Sequence, residues 1–335
     1  MFRYLFLILL ILAGSGQTRA QEKRFSFTRA KMGSPFTIIL YTGDSTQATT
    51  IAERSFQLVD SLVLIFSDYI DSSELNRLCG AAGPHNKPMI ISPALFEILS
   101  LSKYAYEKSN GTFDITLGPV TRLWRKARKE NVFPPNNAVQ EKLKLTGFIK
   151  LKLNKEKHTA HLVQKGMQLD LGGIAQGYIA QQVIGLIKLS DIDNALVDVS
   201  GDIIAIGAPP DTKGWTIGIN APGEDNKLLK KTLLISGNAV TTSGDLYQFI
   251  YHNGKKYSHI IDPKTGYGIT SQKNVTVIAS DGTTADWLTK ACSLLPITNA
   301  KKLATELNAA LLIVELKNDK MMMYANKEME AFWKH

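Results

Sequence analysis

The sequence predicts an α+β fold in which mixed or antiparallel sheets are flanked by helices. β-rich runs separated by turns dominate the second half of the chain, and the helical segments do not alternate regularly with them. With 335 residues, 44% of them hydrophobic and 21% charged, the chain is long and apolar enough for one large domain. We expect a single domain over residues 21–335, with its core in about 25–316 and two sub-regions around a ligand cleft.

Residues 1–20 have the pattern of a secretory signal peptide. Arg3 supplies a positive start, 6–13 is an apolar run, and the small and polar residues of 14–20 place Thr18 and Ala20 for cleavage. The apolar run is far shorter than the roughly 20 residues that a membrane span needs. We therefore predict an exported, periplasmic protein that begins near Gln21 and has no membrane span after cleavage.

The formal net charge of +9 would favour anionic partners. The basic residues are scattered, however, and the group formed by Lys126, Arg128 and Lys129 is not interleaved with aromatic residues. We interpret this group as a solvated face and expect no binding to nucleic acid.

Two cysteines, Cys79 and Cys292, lie far apart in the sequence. An exported protein could pair them, but Cys292 lies in an apolar stretch that is typical of a buried helix. The spacing is not that of a redox or zinc motif, and the sequence leaves the pairing open.

In the first half, apolar spacing predicts a strand region and two helices. The strand region covers 25–41 and is broken at the Gly-Ser-Pro of 33–35. One helix covers 47–67, and a second is opened by Ser92-Pro93 and ended by Asn110-Gly111. Residues 125–143, with a Pro-Pro pair at 134–135, are interpreted as a linker or excursion.

The second half is predicted to be mostly strands joined by turns. The predicted strands are a hairpin over 150–162, then 167–171, 195–199, 203–206, 215–219, 231–235, 249–251, 258–261, 274–279 and 310–316. Helical periodicity predicts helices over 174–189, 285–295 and 299–307.

Four segments have residues suited to chemistry, although each alone has an ordinary structural explanation. Residues 169–178 run through two glycines into a helix, where a phosphate could meet free backbone N–H groups, or the glycines could serve tight packing. In 257–266, His259 is a candidate general base or phosphate contact, or a satisfied histidine at a strand end. Residues 240–245 form a hydroxyl-rich turn. Asp286, near a helix start, could stabilise the helix dipole or bind Mg²⁺.

Eight motifs together give a more specific signal than any one of them. In chain order they are Met-Gly-Ser at 32–34, Ser-x-Tyr-x-x-x-Ser at 67–73, Phe-Asp-x-Thr-x-Gly-Pro at 113–119, Leu-Asp-Leu-Gly-Gly-Ile-Ala-Gln-Gly-Tyr at 169–178, Ser-Gly-Asp-Ile at 200–203, Thr-Ser-Gly at 242–244, His-Ile-Ile-Asp-Pro-Lys-Thr-Gly at 259–266 and Ala-Asp-Trp-Leu-Thr-Lys at 285–290. In order and spacing the chain resembles the FAD:protein FMN transferase (ApbE) family over about 25–316.

The resemblance implies an enzyme that splits FAD and attaches FMN to a Ser or Thr hydroxyl of an acceptor flavoprotein. Tyr69 would stack on the flavin ring, and His259 would be the base near the reacting phosphate. The Gly173 carbonyl and the Asp286 carboxylate would hold Mg²⁺, with Thr289 as a further candidate ligand. The implied FAD-binding residues are Met32, Tyr69, Thr112, Phe113, Asp114, Asp170, Gln176 and Ile261.

Three positions depart from the family's pattern. Gln176 replaces the usual Lys, and Ser200 replaces a Gly, which restricts the backbone to φ below zero for comfort. Lys290 stands where the family has a metal-ligating Thr, and an ammonium cannot ligate Mg²⁺. Either Lys290 partly substitutes for the cation beside the pyrophosphate, or Thr289 moves in as a ligand, or turnover is lost and FAD merely binds. The alternatives to the transferase are therefore a non-catalytic FAD-binding protein and a Mg²⁺-dependent FAD pyrophosphatase that releases FMN and AMP.

Overall fold

The computed structural model describes residues 21–219, 229, 231–244, 248–317 and 320–334. The predicted signal peptide at 1–20 lies outside these residues. The strands are β1 Lys23–Lys31, β2 Ser34–Thr42, β3 Met89–Ile90, β4 Leu151–Asn154, β5 Thr159–Leu162, β6 Asn194–Val199, β7 Asp202–Ile206, β8 Trp215–Ile217, β9 Leu233–Ile235, β10 Ala239–Ser243, β11 Phe249–His252, β12 Lys255–Ser258, β13 Lys273–Ala279, β14 Ala310–Lys317 and β15 Lys320–Ala325. The helices are α1 Ser45–Phe66, α2 Glu74–Gly80, α3 Pro93–Lys108, α4 Gly118–Glu130, α5 Asn136–Leu143, α6 Ala175–Lys188, α7 Gly282–Leu294 and α8 Ile297–Glu306.

The main sheet is antiparallel and contains eight of the described strands, in the order β1-β2-β6-β7-β10-β13-β14-β15. Short hairpins connect several neighbours, as an antiparallel order allows. The smaller sheets of the described chain pair β3-β5-β4, β8-β9 and β11-β12. This architecture confirms the α+β prediction.

Both faces of the main sheet are covered. In β2, Phe36, Ile38 and Leu40 alternate toward the main core, which α1 and the other helices complete. In β6 the intervening residue Leu196 points the other way, into a second core that includes Trp215 of β8. The sheet therefore lies between a helical layer on one side and the β8–β9 hairpin with the C-terminal 3-10 helix Lys327–Phe332 on the other.

A third apolar cluster joins α4 to the β11–β12 hairpin. Trp124 of α4 is fully buried with Ile250 and Ile261, and its indole N–H donates to the Gly266 carbonyl at 2.7 Å. Truncating a core tryptophan costs about 3–5 kcal/mol, so this contact fixes the position of α4. Because Trp124 holds α4 in this cluster, the neighbouring side chains Arg125 and Arg128 lie at the cleft.

The interpretation of 125–143 as a linker is wrong, because the segment contributes to α4 and α5. In α4 the buried residues Val120, Trp124 and Ala127 follow helical spacing, and Asn131 ends the helix with φ +53°. Charged side chains between the buried positions conceal this apolar stripe in the sequence. The Pro-Pro pair lies between the two helices rather than inside a long excursion.

Three other local predictions are wrong. Residues 167–171 are not a strand; the Asp170 N–H donates to the Ile115 carbonyl instead of to a sheet neighbour. The strand predicted at 258–261 lies earlier, at β12, and beyond it Ile261 makes one isolated bridge to Gly268. The hydroxyl-rich segment at 240–245 is largely strand β10, with residue 245 outside the described part. The sequence also gave no prediction for α2 or β15.

Both cysteines are free: Cys292 is buried in α7, and the Cys79 sulfur accepts the Leu169 N–H at 3.3 Å. Among the helices of the described residues, none has the length and apolar character needed to cross a membrane.

Candidate active site

A cleft of about 880 Å³ lies between the main core and the third apolar cluster. Its lining takes residues from the β1–β2 turn, the end of α1, α4, the Gly172-Gly173 turn, β10 and the segment around His259. The motifs that lie far apart in the sequence therefore face one cavity.

The β1–β2 turn presents Met32 to this cleft. Met32 has φ +52° and Gly33 has φ +75°, which are the left-handed values that a two-residue type I′ hairpin turn needs at both central positions. A methionine in this region of backbone space is uncommon. The tight turn thus holds an apolar side chain at the cleft in a conformation that the paired strands enforce.

Arg125 of α4 organises one part of the cleft. Its guanidinium donates to Asp68 at 2.7 Å and to Asp170 at 3.0 Å, and it lies 4.3 Å from the centre of the Tyr69 ring. The Tyr69 side chain is 75% exposed. A cation on an aromatic face orients the ring, so Arg125 positions Tyr69 as an accessible flat surface.

Asp170 links this network to the Gly172-Gly173 turn. Its Oδ1 accepts the Gly172 N–H at 2.8 Å while Oδ2 accepts from Arg125. A Cβ added at Gly173 would lie 3.1 Å from the Phe113 ring, so the Gly173 backbone packs closely against that ring. Asp170 therefore shapes the turn instead of pointing into open solvent.

Asp114 caps the short 3-10 helix Ile115–Leu117 beside Phe113. Its Oδ1 accepts from the Thr116 N–H at 2.8 Å and from the Thr116 hydroxyl at 2.7 Å. Burial raises the pKa of the Asp114 carboxyl above its ordinary value, although the bonds from Thr116 oppose that shift. Asp114 is thus a fixed acceptor on the cleft lining.

His259 is held neutral at the cleft. Its backbone N–H donates to the Gln248 carbonyl at 2.8 Å, whereas its buried Nδ1 has no partner among the residues that the structure describes. Burial first, and then the positive charges of Lys290 and Arg128, lower the pKa of His259 to about 4. At neutral pH the imidazole is therefore an unprotonated base.

The starts of α6 and α7 cross at unusually short range. A Cβ added at Gly177 would lie 2.1 Å from the Gly282 carbonyl oxygen and 2.7 Å from the Asp286 Cβ. This approach lets the Gly177 N–H donate to Asp286 Oδ2 at 3.0 Å. Only glycine fits at this crossing, so the packing of two helices places Asp286.

Asp286 is engaged by a cation of its own chain. Its Oδ1 receives the Lys290 ammonium at 2.5 Å, and its side chain is fully buried while that of Lys290 is 21% exposed. Asp202 of β7 is close enough to interact with both: burial, and then the charge of Asp286, raises the pKa of Asp202 to about 7. Burial opposes the charged form of Lys290, but Asp286 and Asp202 outweigh it and raise the pKa of Lys290.

These residues do not fit a Mg²⁺ ion at Asp286. Both carboxylate oxygens already have partners, the Lys290 ammonium and the Gly177 N–H. Thr289 is fully buried, and its hydroxyl donates to the Asp286 carbonyl inside α7 at 2.7 Å. No group of three or more His, Cys, Asp or Glu within the described residues has the arrangement of a metal site.

Most residues that the sequence singled out meet in the cleft. The lining includes Met32, Tyr69, Thr112, Phe113, Asp114, Asp170, Gly173, Gln176, His259 and Ile261. Asp286 and Thr289 lie behind it, and Lys290 reaches the lining from the same helix. Ser200 also lines the cleft and has φ +53°, so the expectation of φ below zero at this position is wrong.

Sequence analysis missed Asp68, Arg125, Arg128 and Asp202 as cleft residues. The interpretation of Arg128 as part of a solvated face is wrong, because α4 turns it toward the cavity. Arg125 and Arg128 are three residues apart and so share a helix face. Recognising the apolar stripe of α4 would have placed both on the same flank of that stripe, with Arg128 next to it and Arg125 further round the helix.

The fold is that of solved flavin transferases. The structure matches that of the flavinyl transferase ApbE from Pseudomonas stutzeri with a TM-score of 0.82 and 26% sequence identity, covering 93% of this chain and 97% of that one. FAD:protein FMN transferases from Klebsiella pneumoniae and Treponema pallidum are 31% and 30% identical, over 81% and 85% of this chain and 82% and 83% of theirs. The ApbE family model matches residues 32–313, and the chain belongs to the ApbE family.

Proposed function

We propose that this chain is a FAD:protein FMN transferase, which cleaves FAD and transfers FMN to a Ser or Thr hydroxyl of an acceptor flavoprotein. The observation that carries the proposal is a single cleft lined by the exposed Tyr69 ring and by neutral His259, whose buried Nδ1 has no partner among the described residues. Two relatives named FAD:protein FMN transferase are 31% and 30% identical over most of the chain.

The proposed reaction is a phosphoryl transfer. The acceptor hydroxyl oxygen forms a bond to the phosphorus of the FMN half, the bond from that phosphorus to the bridging oxygen breaks, and AMP leaves with the electron pair. The hydroxyl proton passes to His259, which is neutral at pH 7 because its pKa is about 4. Such a transfer depends on positioning and on neutralising phosphate charge.

Named side chains are suited to each requirement. The Tyr69 ring, oriented by Arg125, would stack on the isoalloxazine, and Met32 and Phe113 would enclose it. Arg128 and Lys290 line the same cleft and would face the pyrophosphate. The nucleophile belongs to the acceptor, so no serine of this chain is needed for attack.

The family resemblance implies Mg²⁺ at Gly173 and Asp286, but the bonds that Asp286 accepts from Lys290 and Gly177 do not fit the ion there. When bound to a pyrophosphate, the ion supplies charge neutralisation. Because Lys290 is paired with Asp286, no step of the proposed transfer depends on Mg²⁺.

We further propose that the protein is exported to the periplasm. The support is the signal-peptide pattern of residues 1–20. N-terminal sequencing of the protein recovered from fractionated cells tests this; a periplasmic protein starting near residue 21 is expected, and a cytoplasmic protein that retains residues 1–20 would contradict it.

Intact-mass spectrometry tests the transferase proposal. The purified protein is incubated with FAD and an acceptor domain that carries a Ser or Thr flavinylation site, with the Ala variant of that site as the control. We expect the intact acceptor to gain one FMN, with release of AMP, and the control to gain nothing. FMN and AMP without transfer to any of several acceptors would indicate the pyrophosphatase instead. Intact, tightly bound FAD would indicate a binding protein.

A further inference from the structure

Two aspartates from different elements share a cation beside the cleft. Asp202 comes from β7 and Asp286 from α7, and both are buried, with exposures of 6% and 0%. Two carboxylates in such a place repel each other, which raises the pKa of one of them and favours a nearby positive charge. Lys290 supplies that charge from one turn along α7, where its ammonium lies 2.5 Å from Asp286 Oδ1.

Lys290 also reaches the cleft, unlike Asp286. Its side chain is 21% exposed and lines the cavity next to Gly173, where an added Cβ would lie 3.4 Å from the Lys290 Cγ. An ammonium has three N–H donors, and Asp286 takes one of them. The group is therefore anchored on its buried side and presented to the cavity on the other.

A divalent ion at this position would have to displace the Lys290 ammonium from Asp286 Oδ1. Asp286 is engaged on both oxygens, and the Thr289 hydroxyl is directed into the helix. The cation that the buried carboxylates need is thus covalently part of the chain.

We propose that the Lys290 ammonium is the resident cation of the phosphate-binding part of the cleft, so that the chain binds FAD without a divalent metal ion. The inference rests on the proposed function, because it takes FAD as the ligand. An ammonium gives one fixed positive charge and hydrogen bonds to phosphate oxygens. It does so at any metal concentration, whereas a bound ion would be lost to a chelator.

The first test uses the unaltered protein. The dissociation constant for FAD is measured by flavin fluorescence in EDTA and in Mg²⁺. We expect the two values to agree within about twofold. Weakening by about tenfold or more in EDTA, restored by Mg²⁺, would overturn the inference and leave the transferase proposal standing. No FAD binding in either condition would overturn both.

Substitutions at the same residue sharpen the result. Lys290→Met removes the charge at similar length and should weaken FAD binding by about tenfold or more, with or without Mg²⁺. Lys290→Arg keeps the charge and should retain metal-independent binding. Lys290→Thr restores a hydroxyl beside Asp286 and should bind FAD more tightly in Mg²⁺ than in EDTA.

Direct metal binding provides a readout that does not involve FAD. In calorimetry with Mn²⁺ as the probe, the unaltered protein should give no binding signal at Asp286, while Lys290→Thr should gain one. Circular dichroism checks that each variant is folded. A Mn²⁺ signal in the unaltered protein that Asp286→Asn abolishes would overturn the inference even if every Lys290 variant failed to fold.

Discussion

Arg125 and Lys290 each meet two aspartates at the same cleft, but the two groupings differ in burial and in geometry. Arg125 makes directed bonds to Asp68 and Asp170 and lies over the Tyr69 ring. Lys290 makes one short contact to the fully buried Asp286 and acts on Asp202 through its charge.

The two groupings differ because one depends on the shape of its cation and the other mainly on its charge. A guanidinium is planar and holds two acceptors and a ring at fixed angles, whereas an ammonium is a compact point charge. The arginine grouping therefore orients side chains for a ligand. The lysine grouping compensates buried carboxylates and lowers the pKa of His259, after burial itself.

The largest expected effect is at His259, on the lysine side. His259→Gln should reduce the rate of FMN transfer by about 10²–10⁴-fold, because a positioned base contributes that much. FAD affinity should change by less than about threefold, because the His259 imidazole is proposed to accept a proton and not to bind the flavin. Single-turnover transfer followed by mass spectrometry measures the rate, and His85→Gln, an exposed histidine, is the matched control. A rate within tenfold of the unaltered protein would contradict the role of His259.

Removal of one aspartate from each grouping compares their contributions to folding. Asp286→Ala removes the direct partner of the Lys290 ammonium and leaves Asp202 as the nearby carboxylate. It should lower the free energy of unfolding by about 3 kcal/mol, because a buried charge loses its partner. Asp68→Ala leaves Arg125 paired with Asp170 and should cost about 1 kcal/mol. Denaturant unfolding measures both. Glu107→Ala, in an exposed pair with Lys103, is the control with no measurable loss. Equal losses for the two cleft aspartates would remove the distinction.

A methyl group at the α6–α7 crossing tests the packing that positions Asp286. Gly177→Ala places a Cβ against the Gly282 carbonyl and should destabilise the protein by about 2 kcal/mol. Gly185→Ala in the same helix meets nothing within 4 Å and should stabilise it by about 0.5–1 kcal/mol. Thermal unfolding compares them; a stabilising effect at both sites would show that the crossing is not tight.

Geometry on the arginine side is tested by a change that keeps the charge. Arg125→Lys should weaken FAD binding nearly as much as Arg125→Ala, by about tenfold, because an ammonium cannot hold Asp68, Asp170 and the Tyr69 ring together. Flavin fluorescence titration measures the affinity. If Arg125→Lys keeps full affinity for FAD, a positive charge at position 125 is sufficient and the guanidinium geometry is not needed.

The smallest expected effect is a shift in pH dependence. Because the pKa of His259 is lowered to about 4, kcat/KM should fall only as the pH drops toward 4 and not near the ordinary histidine value. Lys290→Met removes one of the charges that lower the pKa and should move this acid limb upward. The limb should stay below the ordinary value because burial is the larger cause. An unchanged limb would show that Lys290 does not act on His259.

Local sequence predicted much of the fold. The Ser92-Pro93 start of α3, the Asn110-Gly111 stop after it and the strand pattern of β2 are visible within short windows. Such features depend on backbone preferences and periodicity, which few residues determine. The motif set likewise identified most of the cleft lining.

The sequence failed where a residue's role depends on what packs against its element. The period of α4 is encoded locally, but only burial of Trp124 against the β11–β12 hairpin turns Arg125 and Arg128 to the cleft. Thr289 and Lys290 are adjacent in sequence, yet the packing of α6 against α7 places them differently. The Thr289 hydroxyl is buried within α7, whereas the Lys290 side chain lines the cavity.

By itself the sequence determined the α+β class, the order of most strands and helices along the chain, and the family resemblance. The Lys290–Asp286 pair is an i,i+4 contact within α7, but tertiary structure alone decided that Arg125 pairs with Asp68 and Asp170 and that Asp202 lies near Lys290. The physical reason is that such pairings depend on distances between elements far apart in the chain. Those distances are fixed only when the helices and the sheet pack together.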